Sequence, residues 1–282
     1  MRVPVVWFNG RLMEASEART SALDRGLIWG WGLFETLRVY GGRVWALEEH
    51  MARMRRGAEV MDLQVPAEAE AGQAMAATVE ANHFSDCGVR ITVTASDGPP
   101  DPHTDPVGSP NVLVSAWPLR DYSALYERGA RLISLTGFGR PLAGIKSTSY
   151  GVSVAGRVAA RRAGVDDALF LDSDGTVLET TGANIMVVKG DALITPPTPG
   201  VLPGVTRGIV LDVAQATGLK TQERRLVVDD LHEAEEVLLT SSLREVYGAS
   251  ELDGRPLRTG PHAQRLREAF GERVREILGG RS

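Results

Sequence analysis

Thirty-one basic residues include only three lysines, Lys146, Lys189 and Lys220; the others are arginines. A lysine amine condenses with a carbonyl to an imine and a guanidinium does not, so imine chemistry has three candidates. Lys189 stands in VVKGDAL at a hairpin turn, and Lys220 in GLKTQE between a helix end and a strand. Both contexts are those of solvated surface charges. Lys146 stands in PLAGIKSTSYG, an apolar approach followed by small hydroxyl residues just before a helix. Burial between Ile145 and Ser147 would lower its pKa and make it an amine nucleophile or base. A plain helix-start lysine is the alternative.

Other residues could hold an anion or a proton. LPGVTRG, residues 202–208, turns at Gly204 and opens a helix. The free N–H groups of Val205 and Thr206 and the Thr206 hydroxyl would face an anion placed there. Thr240-Ser241-Ser242 follows a strand and offers further hydroxyl and N–H donors. Arg53, Arg55 and Arg56 lie on one helix, the first two flanking its apolar stripe; such arginines can also simply snorkel. Glu179 ends a short strand, TVLE, and precedes TTGAN, a turn of small residues. It reads as a loop carboxylate or as the acid that holds a protonated ring nitrogen.

The elements that must position these residues follow from pattern. Strands are expected over 3–8 and 11–13, joined at Asn9-Gly10, and over 34–40 and 43–45, joined at Gly41-Gly42. Leu47, Met51, Met54, Ala58 and Met61 recur at helical spacing, which predicts a helix over 46–62. A second helix is expected over 66–81, opening on proline. Strands at 89–95 and 111–117 flank SDGPPDPHTDPVGSP, a long loop of the kind that serves as a lid or stays disordered. Beyond Trp117-Pro118 come a strand over 130–135, a loop over 137–149, a helix over 150–163, and three or four short strands. A helix over 205–217, a strand over 237–241, a run over 245–253 and a terminal helix over 262–278 complete the chain. Strands and helices mix without alternating as βαβ units, which predicts an α+β fold in two lobes with a boundary near residues 118–125.

Composition excludes other classes. The chain has 282 residues, 43% hydrophobic and 24% charged, with a net charge of −5. No basic face suggests nucleic acid. A single cysteine, Cys87, rules out an internal disulfide framework or a cysteine-built metal site. No run of 18 apolar residues spans a membrane, and the N-terminal stretch shows no signal-peptide cleavage pattern. A cytoplasmic globular protein is expected. No GxxxxGK[ST], and no GxGxxG after a strand, supports a nucleotide fold.

Taken in order, Lys146, Glu179 in ETTGAN, LPGVTR and TSS resemble the class IV fold of pyridoxal-phosphate enzymes. That family holds the branched-chain and D-amino-acid aminotransferases and the aminodeoxychorismate lyases. DRGLIWGWGLFETLRV resembles its DRG…FGDGxFE segment and EEHMARM its EHxxRL helix, so the resemblance runs from about residue 3 to 254. It implies a two-domain α+β, fold type IV architecture. A smaller N-terminal α/β domain would cover residues 1–120. A larger domain over 121–282, with a β-barrel-like sheet, would carry the cofactor lysine. It also implies a homodimer with pyridoxal 5'-phosphate as cofactor. By the same resemblance Lys146 is the catalytic Schiff-base lysine and Glu179 the carboxylate on the pyridine nitrogen. Arg53 becomes the phosphate arginine, which chooses among the three on that helix. Val205, Thr206, Ser241 and Ser242 form the phosphate cup, Leu202 packs on the ring, and Asn184 closes the turn after Glu179. Phe34 and Glu35 match the pair near the ring and substrate.

The substrate side departs from the pattern. Trp31 replaces the aspartate of FGDG. PPDPH keeps His103 of the D-enzymes' RxH pair but has Asp101 where the arginine stands. Arg90 matches a carboxylate-binding strand arginine of the branched-chain enzymes, whereas the tyrosine two residues before it is Gly88 here. Trp31, Phe34, Arg90 and His103 are therefore the expected substrate-side residues. Three functions follow: an aminotransferase acting on an amino donor and a 2-oxo acid, which is favoured; an aminodeoxychorismate lyase; and a non-catalytic cofactor-binding protein, which intact Lys146 and Glu179 argue against.

Overall fold

The structure is a computed structural model that describes residues 4–138, 142–198 and 200–279. The chain divides into two compact units: Met1–Arg120 with Ile145–Tyr150, and Asp121–Gly144 with Gly151–Ser282.

The first unit contains, in order, β1 (Val5–Phe8), β2 (Arg11–Glu14), α1 (Arg25–Trp29), β3 (Gly32–Tyr40), β4 (Arg43–Val44), α2 (Leu47–Met61), α3 (Glu68–Ala81), β5 (Cys87–Thr94) and β6 (Asn111–Pro118). The strands form one antiparallel sheet in the order β2-β1-β6-β5-β3-β4. Both expected hairpin turns are present. Asn9-Gly10 and Gly41-Gly42 adopt positive φ at both positions, the backbone that matches the twist of the flanking strands. Val3 of the first expected strand lies outside the described residues.

Alternation splits the sheet into two faces. Leu33, Leu37, Val39, Val89, Ile91 and Val93 point toward Met51 and Met54 of α2 and Met75 and Val79 of α3, and build the core. The register places Phe34, Thr36, Arg90 and Trp117 on the other face. The helix expected from Pro66 starts two residues late, because Ala67 stays extended at φ −60°, ψ 151°. α1 carries too short an apolar pattern to be read from periodicity; Asp24 caps it, accepting from the N–H groups of Gly26 and Leu27.

Lys146 was expected in the larger C-terminal domain, and here the structure differs. Residues 145–150 belong to the first unit because they pair with the start of β3. Phe34 N–H donates to the Lys146 carbonyl at 2.9 Å, Thr148 N–H donates to the Gly32 carbonyl at 2.8 Å, and Leu33 bridges Ser147. Residues 139–141 of the loop expected over 137–149 lie outside the described residues.

The second unit contains α4 (Ser123–Arg128), β7 (Ala130–Leu135), α5 (Gly151–Ala163), β8 (Asp167–Leu171), β9 (Val177–Thr180), β10 (Asn184–Lys189), β11 (Ala192–Thr195), α6 (Val205–Ala216), β12 (Lys220–Glu223), α7 (Val228–Glu233), β13 (Glu236–Ser241), β14 (Glu245–Leu252), β15 (Arg255–Pro256) and α8 (His262–Gly279). Its sheet runs β12-β11-β10-β13-β14-β7-β8-β9, with β15 on β14. Two parallel crossovers, β7–α5–β8 and β11–α6–β12, interrupt the antiparallel order, which the expected absence of βαβ units did not anticipate. α5 lies close on the sheet because Gly156 has no side chain; a Cβ there would sit 2.8 Å from Phe170 and Thr181. Lys220 is within β12, not between elements; this edge strand, KTQE, is polar and mostly exposed, so no alternation marks it. Helix and strand are mixed and a sheet curls into a half-barrel, as the α+β expectation requires.

Candidate active site

Of the three lysines, Lys189 and Lys220 are surface charges. Their amines pair with Glu233 at 3.0 Å and Asp191 at 2.7 Å, with the Lys220 side chain 73% exposed. Lys146 is half-buried, its Nζ 4.7 Å from the ring centroid of Phe34. That ring is buried and meets Tyr150 edge-on at 5.3 Å. The Arg90 guanidinium lies 4.4 Å from the same centroid and 5.9 Å from that of Trp117. Its Nε donates to Thr36 Oγ1 at 3.0 Å. An amine and a guanidinium thus share one aromatic ring on the face of the sheet away from the helices. Burial pushes the Arg90 pKa down, with Tyr150 opposing, and no carboxylate among the described residues pairs with it.

The covered face holds a second ionic cluster. Glu35 is fully buried and accepts from Arg53 Nε at 2.8 Å and Arg53 Nη2 at 2.6 Å, while its Oε2 lies 2.7 Å from His50 Nδ1. Burial alone would raise the Glu35 carboxyl; the Arg53 guanidinium and His50 overcome it and hold its pKa at about 2. Burial lowers the His50 pKa further than the Glu35 carboxylate raises it. Because an ionised Glu35 can only accept, His50 Nδ1 is the donor in this contact. Of the three helix arginines only Arg53 is buried. Arg55, expected to flank the stripe, is exposed beside Glu68 at 3.6 Å, and Arg56 is exposed too. Phe34 and Glu35, adjacent in sequence, therefore face opposite sides of the sheet.

In the second unit, Glu179 on β9 is 4% exposed. It accepts from Asn184 Nδ2 at 3.0 Å and from the Leu202 N–H at 3.2 Å, and Asn184 Nδ2 also donates to the Leu202 carbonyl at 2.8 Å. The turn TTGAN folds back so that Asn184, first residue of β10, reaches the carboxylate at the end of β9. α6 then starts at Val205 after Gly204, with Thr206 buried. A Cβ on Gly204 would fall 1.9 Å from Asn184 Oδ1, so only glycine lets the helix start approach the asparagine this closely. Thr240, paired with Asn184 across the strands, has a buried hydroxyl without a hydrogen-bond partner among the described residues. Ser241 ends β13 and Ser242 follows in the turn to β14; Arg244 Nε lies 3.4 Å from Ser241 Oγ.

The contacts of Trp31 and His103, the other two expected substrate-side residues, are local ones within the first unit. Trp31 Nε1 donates to the Met61 carbonyl at the end of α2, at 2.8 Å, with Arg25 over its ring. His103 is exposed, its N–H donating to Asp101 Oδ1 at 2.9 Å. The loop around it is nonetheless pinned: Arg25, fully buried, donates to the Thr104 carbonyl, to Thr104 Oγ1 at 2.6 Å and to the Asp105 carbonyl at 3.0 Å. Three residues went unread in the sequence. His50 lies in the EEHMARM segment but was not assigned a role. Tyr150 follows Lys146 by four residues, just before α5. Trp117 becomes Arg90's neighbour only through strand register.

Comparison with known proteins gives the family. Residues 32–252 match the class IV aminotransferase model. A D-alanine aminotransferase from Bacillus licheniformis is 31% identical, over 90% of each chain. A crystal structure of branched-chain aminotransferase from the thermophilic archaeon Thermoproteus uzoniensis with norvaline superposes with a TM-score of 0.88 at 31% identity, covering 100% of this chain and 97% of that one. The Escherichia coli branched-chain amino acid aminotransferase gives 0.88 at 25% identity, covering 97% and 95%. The chain belongs to the class IV aminotransferases, and its cofactor is pyridoxal phosphate. Its own residues fit that group: Glu179 suits a ring N–H, and the α6 start with the unpartnered Thr240 hydroxyl suits a phosphate.

Proposed function

We propose that this aminotransferase moves an amino group between an α-amino acid and a 2-oxo acid, with Lys146 as catalytic amine and Arg90 as carboxylate anchor. The observation that carries this reading is the half-buried Arg90 guanidinium, without a carboxylate partner among the described residues, on the same Phe34 ring as the Lys146 amine. Both half-reactions bring an α-carboxylate beside the carbon that exchanges its amino group, and a guanidinium near the working amine suits that pair.

Bound pyridoxal phosphate supplies an aldehyde carbon for the amino group and a ring that accepts electrons. Lys146 Nζ would hold the cofactor through its aldehyde carbon, and as a free amine it would take the proton from the substrate α-carbon. Glu179, held by Asn184 and the Leu202 N–H, would keep the cofactor's ring nitrogen protonated, and the Leu202 side chain would cover the ring. Arg53 would supply positive charge to the phosphate, and the Val205 and Thr206 N–H groups with the Thr206, Ser241 and Ser242 hydroxyls would donate hydrogen bonds to it. Phe34 seats the amine and the guanidinium.

The test is a half-reaction. An amino acid added without an oxo acid should abolish the visible absorbance of the holoenzyme, and 2-oxoglutarate or pyruvate should restore it. Persistence of that absorbance with amino acids of either hand, together with release of 4-aminobenzoate and pyruvate from aminodeoxychorismate, would make the protein a lyase instead.

The same reading includes a cytoplasmic homodimer. Leu27 and Trp29 on α1 and Val107 on the pinned loop are 68%, 44% and 64% exposed, an apolar set suited to a second copy. Sedimentation should give a dimer; a fully active monomer would refute it. The lone, buried Cys87 suits a reducing compartment, and cell fractionation tests the location.

A further inference from the structure

We infer that Trp117 is the positioning residue for the carboxylate anchor Arg90, and that Gly88 is glycine so that the indole can take this place. The inference rests on the reading of Arg90 as the anchor.

Antiparallel register sets the neighbours. Arg90 stands opposite Thr36 on β3 and Ser115 on β6, and Gly88 stands opposite Trp117. All lie on the face turned away from the helices, so Trp117 is not a member of the core packed under α2 and α3. A Cβ at Gly88 would meet the indole at 2.8–3.1 Å, closer than side chains pack. The indole thus lies across the glycine and reaches the guanidinium one pleat further along the strand.

An arginine side chain is long and flexible, and binding a carboxylate with both terminal nitrogens needs it held in one orientation. Three contacts do this. Thr36 Oγ1 accepts from Nε, Phe34 lies under the guanidinium, and Trp117 flanks it. The Thr36 contact uses Nε and leaves Nη1 and Nη2, the end-on donor pair, without an acceptor among the described residues. A carboxylate of an amino acid or oxo acid fits that pair. The indole adds attraction through its π-face and shields one side from water.

The experiment uses achiral probes on the holoenzyme: the Kd of the unreactive carboxylate 4-methylvalerate by calorimetry, and kcat and KM for 2-oxoglutarate. Trp117→Ala should raise Kd and KM about five- to tenfold with kcat within about threefold, and Trp117→Phe should stay within about twofold of the parent. Trp117→Leu keeps bulk without a strong π-face and should behave as the alanine variant, which covers the case in which Trp117→Ala fails to fold. Arg90→Ala should raise Kd about tenfold or more, and Arg90→Ala with Trp117→Ala should be no worse than Arg90→Ala alone, since the indole acts through the guanidinium. Gly88→Ala should mimic the loss of the indole. Trp117→Leu binding like the parent, or additive losses in the double variant, overturns the inference while leaving the anchor intact. An unchanged Kd in Arg90→Ala overturns the reading of the anchor itself.

Discussion

Arg53 and Glu35 form a two-point ion pair, at 2.8 and 2.6 Å, inside the helix-covered face of the first sheet, with both side chains at most 4% exposed. The arginine matched to the cofactor phosphate is thus held from behind by a carboxylate that His50 also touches. Removing one member of a buried pair leaves the other unpaired in low dielectric, at a cost of about 3–5 kcal/mol.

Arg53→Ala should therefore lower both stability and cofactor retention, while Arg56→Ala, an exposed helix position, should lower neither appreciably. A charge-assisted contact to phosphate is worth roughly 1.5–3 kcal/mol. Cofactor remaining after dialysis, measured against urea unfolding of the apo form, separates the two effects. Equal retention in the two variants would remove Arg53 from the phosphate site.

Lys146 should be the residue that borohydride links to the cofactor. Peptide mapping after reduction checks this, and label on Lys189 or Lys220 would contradict it. Lys146→Ala should cut turnover about a hundredfold or more, because attachment and proton transfer are lost together. Lys189→Ala and Lys220→Ala, at exposed ion pairs, should leave it unchanged.

Stability should fall as the solution is acidified, in two stages. The His50 pKa is depressed in the folded protein, so below about 6.5 the unfolded chain binds a proton that the native state refuses, and stability is lost. Glu35, held at about 2, adds a second loss as pH falls from 4.5 toward that value. His50→Gln should flatten the dependence of unfolding free energy between about pH 6.5 and 5. An unaltered slope would mean that His50 protonates normally in the native protein.

Gly204→Ala should disturb the second unit's site through Asn184, whose Oδ1 occupies the place of the new Cβ. Displacing Asn184 removes one donor from Glu179, and an interaction of this charged kind is worth roughly 1.5–3 kcal/mol, so cofactor affinity should fall by about tenfold or more. Titration of the apo protein with pyridoxal phosphate measures it. Gly208→Ala, with open space at its Cβ, is the control and should bind as the parent.

Much of the chemistry was legible in the chain itself. Lysine scarcity left three amines to weigh, and the order Lys146, ETTGAN, LPGVTR, TSS pointed to the family that the comparisons bear out. Turn chemistry at Asn9-Gly10 and Gly41-Gly42 and the methionine spacing of α2 were readable because they are local: positive φ and helical periodicity are properties of neighbouring residues. What the chain could not show by itself was set by pairing between distant segments. Lys146 joined the first unit because its backbone pairs with β3, more than a hundred residues earlier, and no composition shift marks such a bond. The parallel crossovers of the second sheet depend on which strands become neighbours, not on their sequences. Phe34 and Glu35 parted to opposite faces, one to the amine and one to Arg53, since the pleat turns successive side chains apart. Trp117 reached Arg90 through the register of β5 against β6, a relation between segments some thirty residues apart that becomes visible only once their backbone hydrogen bonds have formed.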